Sequence, residues 1–178
     1  ADVLGIPLDR AVAAIGRYMG LARRFEILGN ANGITVIDDF GHNPDKISAT
    51  LDTLKAFPGR VIAFFQPHGF GPLRVMGKEL ADVFAAKLDA NDRLFLCDPV
   101  YFGGTTDKSI GSDFVIDRVN QAGAVPALHL PDREACGRAM TDIARPGDRI
   151  VVMGARDDTL RQFASHLLEV LAKASPAG

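Results

Sequence analysis

Val61-Ile62-Ala63-Phe64-Phe65-Gln66-Pro67-His68-Gly69-Phe70-Gly71-Pro72 is the stretch whose reading decides the fold. Its first five residues are apolar without alternation, and the chain then breaks into proline, histidine and two glycines. A strand with one wet face alternates; a continuous apolar run is what a strand covered on both faces requires. Downstream, Leu73, Met76, Leu80, Val83, Phe84 and Leu88 recur at three- and four-residue steps, the apolar stripe of one helix. A β-rich run returns at residues 94–98. Strand, helix, strand in that order predicts a parallel crossover. The same alternation extends along the chain, with strand candidates at 25–28, 34–39, 61–66, 94–98, 125–130 and 150–154 and helical patterns over 45–57, 111–122, 133–144 and 159–174. The expected fold class is α/β: a mainly parallel six-stranded sheet with helices on both faces.

Such a three-layer, Rossmann-like domain fits the composition. The chain has 178 residues, 47% hydrophobic and 24% charged, with a net charge of −2. That is ordinary for one globular domain and gives no basic surface for nucleic acid or for an anionic membrane. No apolar run reaches the ~18–20 residues that span a bilayer. The first residues, Ala1-Asp2-Val3-Leu4-Gly5, carry neither an initiator methionine nor a basic leader, so a piece of a longer protein is expected. Cys97 and Cys136 fall in a strand and in a helix. They are expected to be buried thiols of a reducing, cytoplasmic compartment. A helix over residues 8–19 precedes the first strand as a linker, and residues 173–178 are expected to fray.

In open α/β sheets ligands collect beyond the carboxyl ends of the strands. Four segments fall there: 38–44, 66–72, 98–108 and 154–158. Asp38-Asp39-Phe40-Gly41-His42-Asn43-Pro44 packs two acids, a histidine and an asparagine before a helix that Pro44 helps to start. A helix N-terminus favours anions, His42 can donate to a phosphate oxygen, and a nearby carboxylate can accept from ribose hydroxyls. Equally, Asp38 or Asn43 would cap the helix and His42 would be a satisfied polar residue. Gly69-x-Gly71 imitates a dinucleotide fingerprint, but the third glycine position holds Arg74 and Pro72 stiffens the turn, so a Rossmann cofactor site is disfavoured. His68 faces the same cleft as His42, or else bonds its own turn. At Gly154-Ala155-Arg156-Asp157-Asp158, Arg156 can clamp a carboxylate and Asp157 receive an ammonium group; the alternative is a glycine-assisted turn with Asp158 capping the last helix. Within Arg23-Arg24-Phe25-Glu26 one arginine can reach a phosphate or ribose. Asp98, Tyr101 and Gly103-Gly104 carry no specific signal, His129 and His166 read as structural, and Gly77-Lys78-Glu79 sits inside a helix. No zinc spacing and no G-x-x-x-x-G-K-[ST] phosphate loop is present.

In order along the chain, Leu4-Gly5-Ile6-Pro7, Arg23-Arg24-Phe25-Glu26, Gly29 to Gly33, Asp38-Asp39-Phe40-Gly41-His42-x-Pro44, Ala49-Thr50-Leu51, Phe65-Gln66-Pro67-His68 and Gly154-Ala155 resemble the C-terminal domain of the Mur ligases. The alanine-adding branch, which acts on UDP-N-acetylmuramate, is the most similar. Asp39-x-x-His42-Asn43-Pro44 also resembles the folylpolyglutamate synthetases. The resemblance implies that residues 1–22 form a linker helix from an absent central ATPase domain and that 23–178 form the third domain of an ATP-dependent ligase. In such enzymes the substrate carboxylate takes the γ-phosphoryl group, and the amine of an amino acid attacks the acyl phosphate. Carried over, Arg24, Asp39 and Asn43 lie on the nucleotide side, with Arg24 and Asp39 at the ribose. His42 lies at the γ-phosphate as the catalytic candidate, and His68, Arg156 and Asp157 lie on the substrate side. Mg2+ belongs mainly to the central domain, and the partners are UDP-N-acetylmuramate, an amino acid, and the N-terminal and central domains of the same chain.

The resemblance also implies that the isolated domain is inactive, and that losing Asp39 or His42 lowers activity while barely changing thermal stability. Three departures stand out, of which one is that the family's His-His-Pro is His42-Asn43-Pro44 here. The family's Gln-Pro-His-Arg-Tyr-Ser-Arg is Gln66-Pro67-His68-Gly69-Phe70-Gly71-Pro72 here, and its Gly-Ala-Gly is Gly154-Ala155-Arg156. A ligase that recycles peptides, a paralogue outside peptidoglycan synthesis, and a nucleotide-binding module without catalysis stay open beside the alanine-adding function.

Overall fold

The structure, a computed structural model, describes residues 4–17, 21–101, 103, 105 and 107–174. Six strands form one sheet: β1 (Glu26–Ala31), β2 (Ile34–Asp39), β3 (Val61–Gln66), β4 (Arg93–Cys97), β5 (Ala127–Leu130) and β6 (Arg149–Gly154). Their spatial order is β1-β2-β6-β3-β4-β5, parallel throughout except for the β1–β2 pair. That pair is a hairpin. Its turn residues Asn32 and Gly33 both take left-handed φ values, 51° and 78°, as the Asn-Gly dipeptide favours in a tight hairpin turn.

The helices are α1 (Leu8–Gly16), α2 (Pro44–Lys55), α3 (Phe70–Lys87), α4 (Ser112–Ala122), α5 (Arg133–Ile143) and α6 (Leu160–Lys173). Side chains of α2, α3 and α4, among them Leu51, Phe84 and Val115, pack on one face of the sheet with Phe65 and Val151. Met140 and Phe163, from α5 and α6, pack on the other with Phe64 and Val152. Each strand residue so covered contributes roughly 1.5–3 kcal/mol of apolar burial, which is why β3 and β6 show no alternation. Cys97 and Cys136 are both buried and free, as expected, and burial pushes the Cys136 thiol up to about 12. No described helix is long and apolar enough to cross a membrane.

Several boundaries differ from the sequence-based expectation. β1 runs on to Ala31 because the hairpin lends it a partner. β5 starts only at Ala127, after Pro126, which has no N–H to give a ladder. α3 begins at Phe70 rather than at the first residue of the apolar stripe. α1 ends at Gly16 with no buried residue, leaving Leu8, Val12 and Ile15 exposed; the expected end at Met19 lies outside the described residues. Residues 1–3 and 175–178 lie outside them too.

Candidate functional site

Because β2, β6 and β3 are parallel neighbours, their carboxyl ends deliver three loops to one edge. The ladder pairs Asp39 with Met153 and Gln66 with Gly154, so residues 40–43, 67–69 and 155–159 start at one level. Asn43 caps α2, its side-chain oxygen accepting from the Lys46 N–H at 3.0 Å, and Pro44 opens the helix. That oxygen is therefore committed to the helix rather than free for a nucleotide. Asn43, not Asp38, is the cap.

His42 and His68 meet across this edge, with ring centroids 5.5 Å apart and nearly perpendicular planes. The Nδ1 of His42 lies 2.9 Å from the Phe40 carbonyl oxygen. The buried Nδ1 of His68 has no hydrogen-bond partner among the described residues. Burial, then the neighbouring His42 and Arg156, hold the His68 pKa below its ordinary value, so this imidazole is neutral near pH 7. Arg156 itself is exposed, with a left-handed φ of 60°.

Arg24 and Asp39 line one recess of about 190 Å³ together with Phe40, Gly41, Lys46, Ala49 and Thr50. Arg24 is exposed there; Asp39 is turned inward. One oxygen of Asp39 accepts from the Phe25 N–H at 2.7 Å. The other accepts from the Gly41 N–H at 2.8 Å and from the Thr50 hydroxyl at 2.9 Å. With three internal donors, Asp39 is a staple of the loop. The fold therefore draws on this carboxylate, and any ligand contact falls to its remaining lone pairs.

Asp157 is held in the same way. Its carboxylate accepts from Gln66 Nε2 at 2.8 Å, from Arg133 Nη1 at 3.1 Å and from the Thr159 N–H at 2.9 Å. These partners outweigh its partial burial and hold its pKa below the usual carboxylate value. It anchors the turn that presents Arg156, and no vacant carboxylate awaits an ammonium group. Asp157, rather than Asp158, also bonds the start of α6. Asp98 turns to His129, at 2.6 Å. Tyr101 stays near the site, its ring against Phe70 and under the Lys108 ammonium. Gly104 lies outside the described residues. Gly69 is the residue before α3, with a φ of 142°. Gly77, Lys78 and Glu79 lie within α3, as expected.

Four further residues belong to the site. Gln66 and Arg133 hold Asp157. Lys46 lines the recess and leans over the Phe40 ring. Arg23 bridges two loops. Arg23 and Gln66 stood in motifs legible in the sequence, Lys46 is marked only as a cation in a helix's first turn, where it opposes the dipole, and nothing marked Arg133. Among the described residues no group of three or more His, Cys, Asp or Glu is placed to hold a metal ion.

The family model described as Mur ligase, glutamate ligase domain, matches residues 23–156. The chain is 35% identical over 161 residues to the UDP-N-acetylmuramate–L-alanine ligase of Sorangium cellulosum, across 88% of this chain and 34% of that protein. It thus spans about a third of that relative's length. A solved ligase domain from Haemophilus ducreyi, whose name gives UDP-N-acetylmuramate and an L-alanyl-γ-D-glutamyl-diaminopimelate peptide, superposes with a TM-score of 0.60 at 26% identity. The match covers 84% of this chain and all of that domain. A murein peptide ligase from Psychrobacter arcticus, at TM-score 0.67 and 24% identity, covers 96% of this chain and 34% of its own. That last likeness speaks to the fold alone.

Proposed function

The chain belongs to the Mur ligase family, and from that membership we propose that it is the third, closing domain of a cytoplasmic ATP-dependent ligase of peptidoglycan synthesis. In this reading, residues 1–22 connect it to a central ATPase domain, and the whole enzyme joins an amino acid to the carboxylate of UDP-N-acetylmuramate. The observation that carries the proposal is the convergence at one sheet edge of a histidine pair, Arg156, and the recess of Arg24, Asp39 and Lys46.

The chemistry follows from that layout. Arg24 and the outer rim of Asp39 take the ribose, and Lys46 adds charge beside it. His42, at the start of α2, has its Nδ1 against the Phe40 carbonyl oxygen, so as an imidazolium it donates through Nε2 to the γ-phosphoryl region while the substrate carboxylate attacks the γ-phosphorus and ADP leaves. Phosphoryl transfer asks mainly for positioning and charge neutralisation, which these groups supply. The amino acid's amine then attacks the acyl phosphate and phosphate leaves. Arg156 clamps the amino acid's carboxylate, with neutral His68 beside it, and closure of the domain excludes the water that would hydrolyse the acyl phosphate. The described residues offer no ligand set for Mg2+, so the ion is assigned to the central domain and no step here runs through it.

A second reading has one observation in its favour. Gly69 and Pro72 leave beside His68 a recess of about 470 Å³, bordered by Arg74 and Tyr101, within the ~300–1,000 Å³ that hold sizeable ligands. A peptide in place of a single amino acid would use that room, as the name of the Haemophilus ducreyi relative indicates for that protein. The test offers the full-length enzyme UDP-N-acetylmuramate, ATP and a panel of amino acids and short peptides. L-Alanine as the one good substrate supports the first reading, and a peptide supports the second. In either case Arg156→Ala should raise the KM of the carboxylate-bearing nucleophile more than that of ATP, by the equivalent of about 1.5–3 kcal/mol. An unchanged KM would remove Arg156 from the site.

A further inference from the structure

The adjacent arginines divide their work. Arg24 is exposed on the recess, whereas the Arg23 side chain is only 11% exposed. Its Nη2 donates to the Gly154 carbonyl at 3.1 Å and its Nη1 to Asp158 Oδ1 at 3.4 Å. Nε lies 3.5 Å from Asp38 Oδ2, and the guanidinium sits 5.1 Å from the centre of the Phe40 ring. The Arg23 carbonyl accepts from the Phe40 N–H at 2.8 Å, and its own N–H donates to Glu26 Oε2 at 2.9 Å. Arg23 therefore holds both the loop after β2 and the turn after β6, its side chain reaching Asp38, the Phe40 ring, Gly154 and Asp158 and its backbone carbonyl the Phe40 N–H. Among the described residues no hydrogen bond joins residues 40–43 directly to residues 155–159, so the span between them is made by Arg23.

Two further features show that the contact is built. Arg23 and Phe25 hold left-handed φ values of 57° and 48°, conformations that cost a non-glycine residue free energy and persist where surroundings over-determine them. Asp38 is fully buried, and neither of its carboxylate oxygens has a hydrogen-bond partner among the described residues, which leaves the Arg23 ion pair as its compensation. None of these contacts is needed to complete β1, which starts three residues later.

We propose that Arg23 is a positioning residue that locks the loop after β2 and the turn after β6 in one register, so that the nucleotide side and the substrate side of the site are set together. The assignment of the two sides rests on the function proposed above; the mechanical coupling does not.

The coupling is measured by amide hydrogen exchange on the full-length enzyme carrying Arg23→Met, Arg23→Lys or Arg24→Met. In Arg23→Met, peptides over 38–43 and over 154–160 should both exchange faster, on the order of tenfold, for the loss of charge-assisted contacts. Peptides over 61–66 should not change. The KM values for ATP and for the nucleophile should rise together, while Arg24→Met raises that for ATP and leaves exchange over 154–160 unaltered. Arg23→Lys keeps the charge beside Asp38 but not the fork, and should fall between. Loosening of one loop alone, or equal loosening across 61–66, overturns the proposal, and if Arg23→Met does not fold, Arg23→Lys decides by the same criteria. An enzyme that forms no amide bond would refute the proposed function and leave the exchange result standing on its own.

Discussion

Replacing Asp39 by alanine removes the acceptor on which three segments converge: Phe25 before β1, Gly41 in the loop, and Thr50 on α2. Each hydrogen bond to an ionised carboxylate contributes roughly 1.5–3 kcal/mol, and bonds sharing one acceptor do not add. The Thr50 hydroxyl and Gly41 N–H would be left buried without a partner. A loss of about 3–5 kcal/mol follows from those unpaired donors. For a chain of this length about 1 kcal/mol shifts the melting temperature by about 2–4 °C, so the expected fall is about 6–20 °C. Thermal and urea unfolding of the wild-type chain, Asp39→Asn and Asp39→Ala tests it. The asparagine variant should be intermediate, since it keeps one acceptor oxygen and turns an amide against the other donors. Unchanged melting of Asp39→Ala, with ATP binding abolished in the full-length enzyme, would show that the staple is dispensable and that the carboxylate serves the ligand alone.

The remaining predictions concern neighbouring groups. Burial, only partly offset by Arg23, raises the Asp38 pKa from its ordinary 3.8 to about 6. The unfolded chain therefore loses this proton first, and the contribution of Asp38 to stability falls as pH rises from about 4 to about 6, by up to about 3 kcal/mol. Asp38→Asn should lack that fall, so urea unfolding at about pH 4.5 and about pH 7.5 should show the variant gaining on wild type at the higher pH; a constant difference would contradict it. His42→Ala should lower the activity of the full-length enzyme on the order of 10²-fold with little change in melting, and a large melting shift with normal turnover would return His42 to the fold. Arg156→Gly should stabilise by up to about 1 kcal/mol, by relieving the left-handed backbone, while weakening nucleophile binding as Arg156→Ala does; a loss of stability in thermal unfolding would contradict the strain argument.

The strands were legible because burial on both faces writes itself into composition. Residues 61–66 and 34–39 needed no correction, and 150–154 missed only Arg149. The hairpin was less legible. Asn32-Gly33 is a strong turn signal, but β1 contains Gly29, which sits so close to α6 that a Cβ there would come within 2.8 Å of Leu168; a strand carrying a glycine for that reason does not look like one in sequence. At the site, the segments were readable and the directions were not. Asp39 and Asp157 each follow a parallel strand, where a ligand carboxylate is expected. Whether a carboxylate faces out or in depends on donors 11 to 91 residues away in sequence, such as Thr50 and Gln66. The choice between Arg23 and Arg24 depends on a left-handed φ that no residue type at that position announces.

Two of the departures that the resemblance implies fall on turns beside His68. By that resemblance Gly69 stands where an arginine would follow Gln-Pro-His, and Arg156 where a Gly-Ala-Gly would end. Gly69 takes a φ of 142°, and a Cβ there would have room, its nearest atoms being Pro72 Cδ at 3.5 Å and the Val100 oxygen at 4.0 Å. The obstacle to an arginine at 69 is thus the backbone and not space. Arg156 takes a φ of 60°, a conformation that suits the glycine of the family and strains an arginine. A permissive backbone at Gly69 and a fixed charge on a strained backbone at Arg156 thus both lie beside His68. Asp157, held by Gln66, Arg133 and Thr159, supplies the anchoring that lets Arg156 keep a strained conformation. Restoring arginine at position 69 alone would place it on a backbone shaped for glycine, with Pro72 in the first turn of α3 stiffening the rest.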